Sequence, residues 1–358
     1  MPMPRTGNLR YIIRLIGINV ALTGALLVAA LAIAEAYLRL TIPASSRDSI
    51  SEPTRSSKRY KVMKRDSQLI SWGSELRTNR LGFRDDDAEI PAKLATEIRL
   101  LVLGDSFTVS AGVDYDSIST TLIEKRLRER VPETTVINLA VGGYNIIQQD
   151  LVLEEVGLAL NPDAVVVAVF PFNDLSSEDY RASRADAEGT APATTLPWYR
   201  KLYVYRALLS KIEARVRSLL GPGGSDAGVP VEDTTAETDA RENLLALEHL
   251  VEDATRHRLP VLVVLLPNTD DFESQRGSFA PFVELCQLRR WTCSNLIDRF
   301  IGSGAAPRSL RLNLLDSHPN EAYNEMVAEF VAADLAPLVQ GLRQQRDAGA
   351  GPAVSTER

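Results

Sequence analysis

The amino-acid sequence predicts an α/β protein, a three-layer α/β/α sandwich with a parallel sheet, preceded by one N-terminal transmembrane helix. Three observations predict it. Leu15 to Ala34, LIGINVALTGALLVAALAIA, is a run of 20 residues without a charge. Four later segments are short, nearly continuous apolar runs, the pattern of strands buried on both faces. Helical stretches separate them, and strands alternating with helices imply a parallel sheet covered on both sides.

The N-terminal run, at a helical rise of about 1.5 Å per residue, covers the roughly 30 Å hydrocarbon core of a bilayer. Arg5, Arg10 and Arg14 precede it. A cleaved signal peptide would have a shorter apolar region, with Ala32 and Ala34, or Ala34 and Ala36, as its cleavage site. The length favours an uncleaved anchor in residues 1–41, spanning about 15–38. Basic residues follow the span as well as precede it, and the positive charge is nearly balanced. A long downstream domain is translocated largely regardless of that balance. The expectation is a single-pass protein of the cell membrane, with a cytoplasmic N-terminus and a periplasmic or extracellular body. Residues 42–77 read as juxtamembrane linker and lead-in, because 43–60 are rich in Ser, Pro and charge.

The main domain is expected over 78–342. IRLLVLG (98–104) ends in Gly and opens the sheet, and a helix follows over 117–130. TTVINLAV (134–141) is the second strand, followed by a helix over about 146–160. DAVVVAVF (163–170) is the third and is strongly β-branched. A helix over 238–258 leads to PVLVVLLP (260–267), the fourth. A helix near 279–289, a weak strand near 292–298 and a final helix over about 321–339 complete the pattern. Residues 175–237 interrupt it as an insertion. There an amphipathic helix is expected over about 199–220, with a stripe from Tyr205 to Leu219. Packing on the main domain is its simplest use; a membrane surface or an active-site cap are the others. Residues 343–358 read as a disordered tail.

Composition excludes some functions. The net charge of −7 gives no basic face for phosphates, so no nucleic-acid partner is expected. No Cys/His cluster has metal-site spacing, and no glycine-rich phosphate loop follows the first strand; no metal or cofactor is expected. Cys286 and Cys293 either pair in an oxidising compartment or are small buried residues.

Parallel sheets bind ligands at the carboxyl ends of their strands, and four polar motifs lie at such ends or at a helix start. The first strand ends in Gly104-Asp105-Ser106, which places a hydroxyl nucleophile in a strand-to-helix turn. The second ends in Asn138-Leu-Ala-Val-Gly142-Gly143-Tyr144, and adjacent glycines permit close backbone approach. The third ends in Pro171-Phe-Asn173-Asp174, and an Asn amide is the donor an oxyanion hole needs. Asp316-Ser-His318-Pro-Asn320 stands before the last helix. Of three histidines, His249 and His257 lie on or at the end of a charged helix, so His318 is the candidate base. Asp316 can orient it only if the loop is bent rather than helical.

Together these motifs resemble the SGNH (GDSL-like) hydrolase superfamily, of the membrane-anchored bacterial type, over about residues 78–342. The lead-in TNRLGFRD and the phrase GDSFTVSAGV are similar to those of such members. The resemblance implies an SGNH/flavodoxin-like sandwich and a cofactor-free serine esterase. It implies Ser106 as nucleophile, His318 as base and Asp316 as triad acid. Ser106, Gly143 and Asn173 would form the oxyanion hole, with Gly142 as substitute for Gly143. The commoner pattern has Asp three residues before His, where this chain has Leu315. The expected substrate is an ester or an acylated carbohydrate. An O-acyltransferase on a cell-envelope polysaccharide would use the same residues, and a non-catalytic binding protein would share the fold.

Overall fold

In this computed structural model the described residues are 6–43, 45, 49–85, 89–191, 197–209 and 234–349. The chain forms two compact units, one of residues 1–44 and 194–226, the other of residues 45–193 and 227–358.

In the first unit, helix α1 (Thr6–Thr41) contains the apolar run. Its stretch Tyr11–Thr41 is long and apolar enough to cross a membrane, and none of its most apolar window is buried. Glu35 follows the uncharged run directly and does not stand alone. It accepts a hydrogen bond from the backbone N–H of Val204 (2.8 Å) and pairs with Arg39 (2.7 Å). Arg39 in turn lies over the Tyr203 ring, 4.9 Å from its centroid. Of the amphipathic helix expected over 199–220, residues 198–201 are a 3-10 turn and 205–209 a π-helical turn; residues 210–220 lie outside the described residues.

The second unit begins with structure where linker and lead-in were expected. Strands β1 (Ser51–Pro53) and β2 (Lys61–Met63) pair antiparallel, as do β3 (Gln68–Ser71) and β4 (Ser74–Arg77). The short apolar positions Met63 and Leu76 are buried. With so few apolar neighbours, they show too little period-2 pattern to announce strands.

Five parallel strands follow: β5 (Ile98–Leu103), β6 (Thr134–Asn138), β7 (Ala164–Val169), β8 (Val261–Leu265) and β9 (Thr292–Asn295). Their order is β6-β5-β7-β8-β9. Every residue of β5 and β7 is buried, which is why their apolar runs are continuous rather than alternating. Between the strands lie α2 (Ser106–Val109), α3 (Ser119–Arg128), α4 (Ile146–Val152), α5 (Pro171–Asp174), α6 (Glu178–Glu188), α7 (Thr234–Arg256) and α8 (Arg276–Arg289). Then come α9 (Ile297–Gly302), the hairpin β10 (Arg311–Asn313) and β11 (Asp316–Pro319), and α10 (Glu321–Gly349). Helix α3 packs against α10, and α4 against α7. With this strand order, the right-handed rule for crossovers between parallel strands puts these pairs on opposite faces of the sheet, giving the three layers. In this order the chain reverses direction between β5 and β7, and such a switch point opens a crevice at the strands' carboxyl ends.

Two details differ from the sequence-based expectation or resolve it. The final helix does not stop near Val339. Arg346 pairs with Glu133 (2.9 Å) and Arg343 with the same carboxylate (3.2 Å), so residues 343–349, expected in a disordered tail, are its last turns. Residues 350–358 lie outside the described residues. Cys286 of α8 and Cys293 of β9 are joined by a disulfide, with their Cα atoms 6.3 Å apart.

Candidate active site

Strand β5 delivers Ser106 to the crevice. At Gly104 an added methyl would stand 2.3 Å from Thr108 Oγ1 and 2.8 Å from its Cβ, so a side chain there would collide with α2. Asp105 then caps α2, its carboxylate accepting the Phe107 N–H at 2.9 Å. Ser106 is the first residue of that helix. The helix's far end is held by the buried Arg84, which donates to the carbonyls of Val109 (2.6 Å), Ser110 (2.7 Å) and Val113. Arg84 belongs to TNRLGFRD, a segment whose role was not readable from sequence physics.

The β10–β11 hairpin delivers the candidate base, His318. Asn313 faces Asp316 across a two-residue connection. Asp316 and His318 sit two apart on an extended strand, and in a strand i and i+2 share a face. The two side chains meet through strand geometry, not through the bent loop expected from sequence. His318 Nδ1 is 2.6 Å from Asp316 Oδ1, and the His318 backbone N–H donates to the same oxygen at 3.0 Å. His318 Nε2 is 2.9 Å from Ser106 Oγ. Thr269 Oγ1 anchors the strand through the Ser317 carbonyl (2.6 Å). The Phe107 ring flanks the imidazole at 5.7 Å.

The electrostatics suit proton transfer. Burial pushes the Asp316 carboxyl up, but the His318 hydrogen bond and charge, with the His318 and Trp72 N–H groups, bring it down to about 2. Burial pulls the His318 imidazole down, yet the Asp316 hydrogen bond and the charges of Asp316 and Asp105 raise it above the ordinary histidine value. Asp105 and Asp174 are fully buried carboxyls, and burial raises both.

Asn173 enters from α5 at the end of β7, across the switch point from Ser106. Its Nδ2 donates to the Tyr144 carbonyl (2.6 Å) and to Asp105 Oδ2 (3.3 Å). Both amide hydrogens are thus engaged within the protein, and the amide ties together the ends of β5, β6 and β7. Of the two glycines after β6, Gly142 lies against the serine: a methyl there would be 3.8 Å from Ser106 Cβ. Gly143 has φ +72°, a conformation that favours glycine. A methyl on it would meet Lys61 Nζ at 2.8 Å.

Sequence reasoning missed the residues that reach this site from the N-terminal hairpins. Lys61 of β2 donates to the Gly143 carbonyl (3.5 Å), and burial lowers its pKa while Asp179 and Asp105 raise it. Trp72 donates its indole N–H to Asp316 Oδ2 (2.6 Å). No local signal marks either, since the contacts span 82 and 244 residues. His249 belongs elsewhere. With Asp150 of α4 and Glu154 in the π-helical turn after it, His249 of α7 forms a cluster, Nδ1 lying 2.8 Å from Asp150.

A hydroxyl, an imidazole and a partly buried carboxylate linked in series at the switch point of a parallel sheet form the arrangement of a serine hydrolase. The chain belongs to the GDSL-like Lipase/Acylhydrolase family, whose model matches residues 102–350. No curated protein resembles it closely enough to count as a relative. Solved structures similar to it include TesA, at 16% identity over 67% of this chain and 99% of that chain, TM-score 0.41. Another is an acetylxylan esterase from Geobacillus stearothermophilus, a catalytic mutant, at 14% identity over 68% and 96%, TM-score 0.43. A GDSL-like lipase from Bacteroides thetaiotaomicron is 12% identical over 70% and 92%, TM-score 0.37. These are distant likenesses.

Proposed function

We propose that this serine hydrolase cleaves an ester, such as the O-acetyl ester of an acylated carbohydrate, outside the cytoplasmic membrane, through an acyl-enzyme on Ser106. The hydrogen-bonded series Ser106 Oγ, His318 Nε2, His318 Nδ1, Asp316 Oδ1 carries the reading. Neutral His318 takes the Ser106 proton as Oγ attacks the carbonyl carbon. The imidazolium gives that proton to the leaving alcohol, and the acyl group stays on Oγ as an ester. Water then attacks with His318 again as base, releasing the acid and restoring Ser106. Asp316, ionised at neutral pH, holds Nδ1–H and stabilises the imidazolium.

The N–H groups of Ser106 and Gly143 and the Asn173 amide are assigned to the oxyanion. For Asn173 this requires one amide hydrogen to leave Tyr144 or Asp105 as charge develops. Asn173→Ala is expected to lower kcat by about 10²–10³ with KM little changed. A change confined to KM would make Asn173 a ground-state binding residue instead.

The exported location draws support from the apolar span of α1 and from the Cys286–Cys293 disulfide, a bond that persists in oxidising compartments. One experiment tests chemistry and side together. Spheroplasts carrying the full chain are given an acetylated oligosaccharide that does not cross the membrane. Free acetate in the medium, absent with Ser106→Ala, is the expected result. Acetate appearing only after lysis would reverse the topology. Acetyl groups recovered on an added acceptor sugar rather than as acetate would make the enzyme a transferase.

A further inference from the structure

We propose that Trp72 is a positioning residue for the triad acid: its indole N–H holds Oδ2 of Asp316 so that Oδ1 faces the imidazole of His318. The proposal rests on the Ser106–His318–Asp316 reading above. Asp316 Oδ1 receives two donors from His318, its Nδ1 (2.6 Å) and its backbone N–H (3.0 Å). Both lie on one side of the carboxylate. Oδ2 is held by the Trp72 Nε1–H at 2.6 Å. A carboxylate gripped at one oxygen can rotate about its Cβ–Cγ bond; one gripped at both cannot without breaking a charge-assisted hydrogen bond.

The backbone at Trp72 supports the same conclusion. Trp72 and Gly73 form the two-residue connection between β3 and β4, with Ser71 opposite Ser74. Their φ angles are +48° and +92°. A turn with both central residues left-handed favours Asn, Asp or Gly at its first position. A bulky aromatic there is a strained choice for the turn alone. It is intelligible if the indole is needed elsewhere. The ring is half-buried and lies against the loop after α2: a methyl on Gly112 (φ +97°) would be 3.2 Å from Trp72 Cδ1. That glycine leaves room for the indole to reach Asp316.

The hairpin carrying Trp72 precedes the family match, which begins at residue 102. The segment that joins α1 to the sheet domain in sequence therefore supplies part of the catalytic apparatus.

The test is a double-mutant cycle in the full-length enzyme. Trp72→Phe keeps most of the ring and removes the donor; Asp316→Asn removes the group it acts on. Trp72→Phe is expected to lower kcat about tenfold with KM unchanged, the size of a lost hydrogen bond to a charged group. The acid limb of its pH profile should move to lower pH, because a loosened Asp316 raises the His318 pKa less. Asp105, the other carboxylate that raises it, is untouched. In the Asp316→Asn background the same substitution should cost nothing further. Trp72→His can place a ring N–H in the Nε1 position and should recover part of the loss, and it serves if the Phe variant fails to fold. A loss equal in both backgrounds, an unmoved acid limb, or equal losses in the Phe and His variants would reduce Trp72 to hairpin packing and overturn the proposal. Ser106→Ala assayed in parallel separates that failure from failure of the serine-hydrolase reading, since only the latter leaves its activity intact.

Discussion

Ser106→Ala is expected to reduce kcat for a short-chain aryl ester by about 10⁵–10⁶-fold while leaving the fold intact. Only Oγ is lost. Cβ, which lies near Gly142, remains, as do the Asp105 cap and the Arg84 contacts at the far end of α2. His318→Ala should be as severe, and the double variant no worse than either, because in the proposed mechanism the two residues perform one proton transfer. Turnover of the purified variants, with circular dichroism as the check on folding, measures this. Labelling by a fluorophosphonate should disappear with the hydroxyl. A folded Ser106→Ala protein within tenfold of wild-type turnover would remove Ser106 from the mechanism, and an additive double variant would separate it from His318.

Asp316→Asn is expected to lower kcat by about 10⁴-fold, the size seen when a triad carboxylate becomes an amide. Three N–H groups point at this carboxylate: Nδ1 and the backbone of His318 on Oδ1, and Trp72 on Oδ2. An amide accepts at only one of its two positions. Its NH₂ must face either the indole N–H or the two His318 donors, so the imidazole loses its tautomer or its orientation. The pH dependence has a definite sign. Attack requires neutral His318, whose pKa is raised in the native enzyme, mainly by Asp316 acting against burial. Wild-type kcat/KM therefore falls as pH drops through a value above that of an ordinary histidine. Without the carboxylate charge the imidazole titrates lower, and the acid limb of the residual activity moves to lower pH. A kcat/KM profile from about pH 5 to about pH 9 reads both effects. A limb that stays in place would mean that another carboxylate, Asp105 being the nearest in charge, supports the imidazolium.

Legibility followed the range of the forces involved. Strands β5, β7 and β8 show in sequence because burial on both faces demands a continuous apolar run. Strand β9, with Thr292 exposed, two positions partly exposed and only Ser294 buried, shows weakly for the same reason. Hairpins β1–β4 and β10–β11 escaped because strands of three or four residues need few apolar side chains. Their register comes from turns and from contacts with the sheet domain. Among candidate site residues, Ser106 and His318 stood out because each lies at an element boundary in a local motif. Asp316 stood out only as a neighbour of His318.

Local sequence settled the α/β alternation, the apolar N-terminal helix and the candidate residues for acyl chemistry. These follow from local properties: apolar periodicity, uncharged length, and residue type at strand ends. The tertiary structure decided how those residues meet. It brought Nε2 of His318 to 2.9 Å from Ser106 Oγ across 212 residues, and placed Asp316 beside His318 by strand geometry. It turned the Asn173 amide toward Tyr144 and Asp105, paired Cys286 with Cys293, and carried Trp72, Lys61 and Arg84 from the lead-in to the site. Such contacts depend on chain paths closed over tens to hundreds of residues, and a residue's own neighbourhood in sequence carries no trace of a partner held there by the packing of the whole sheet.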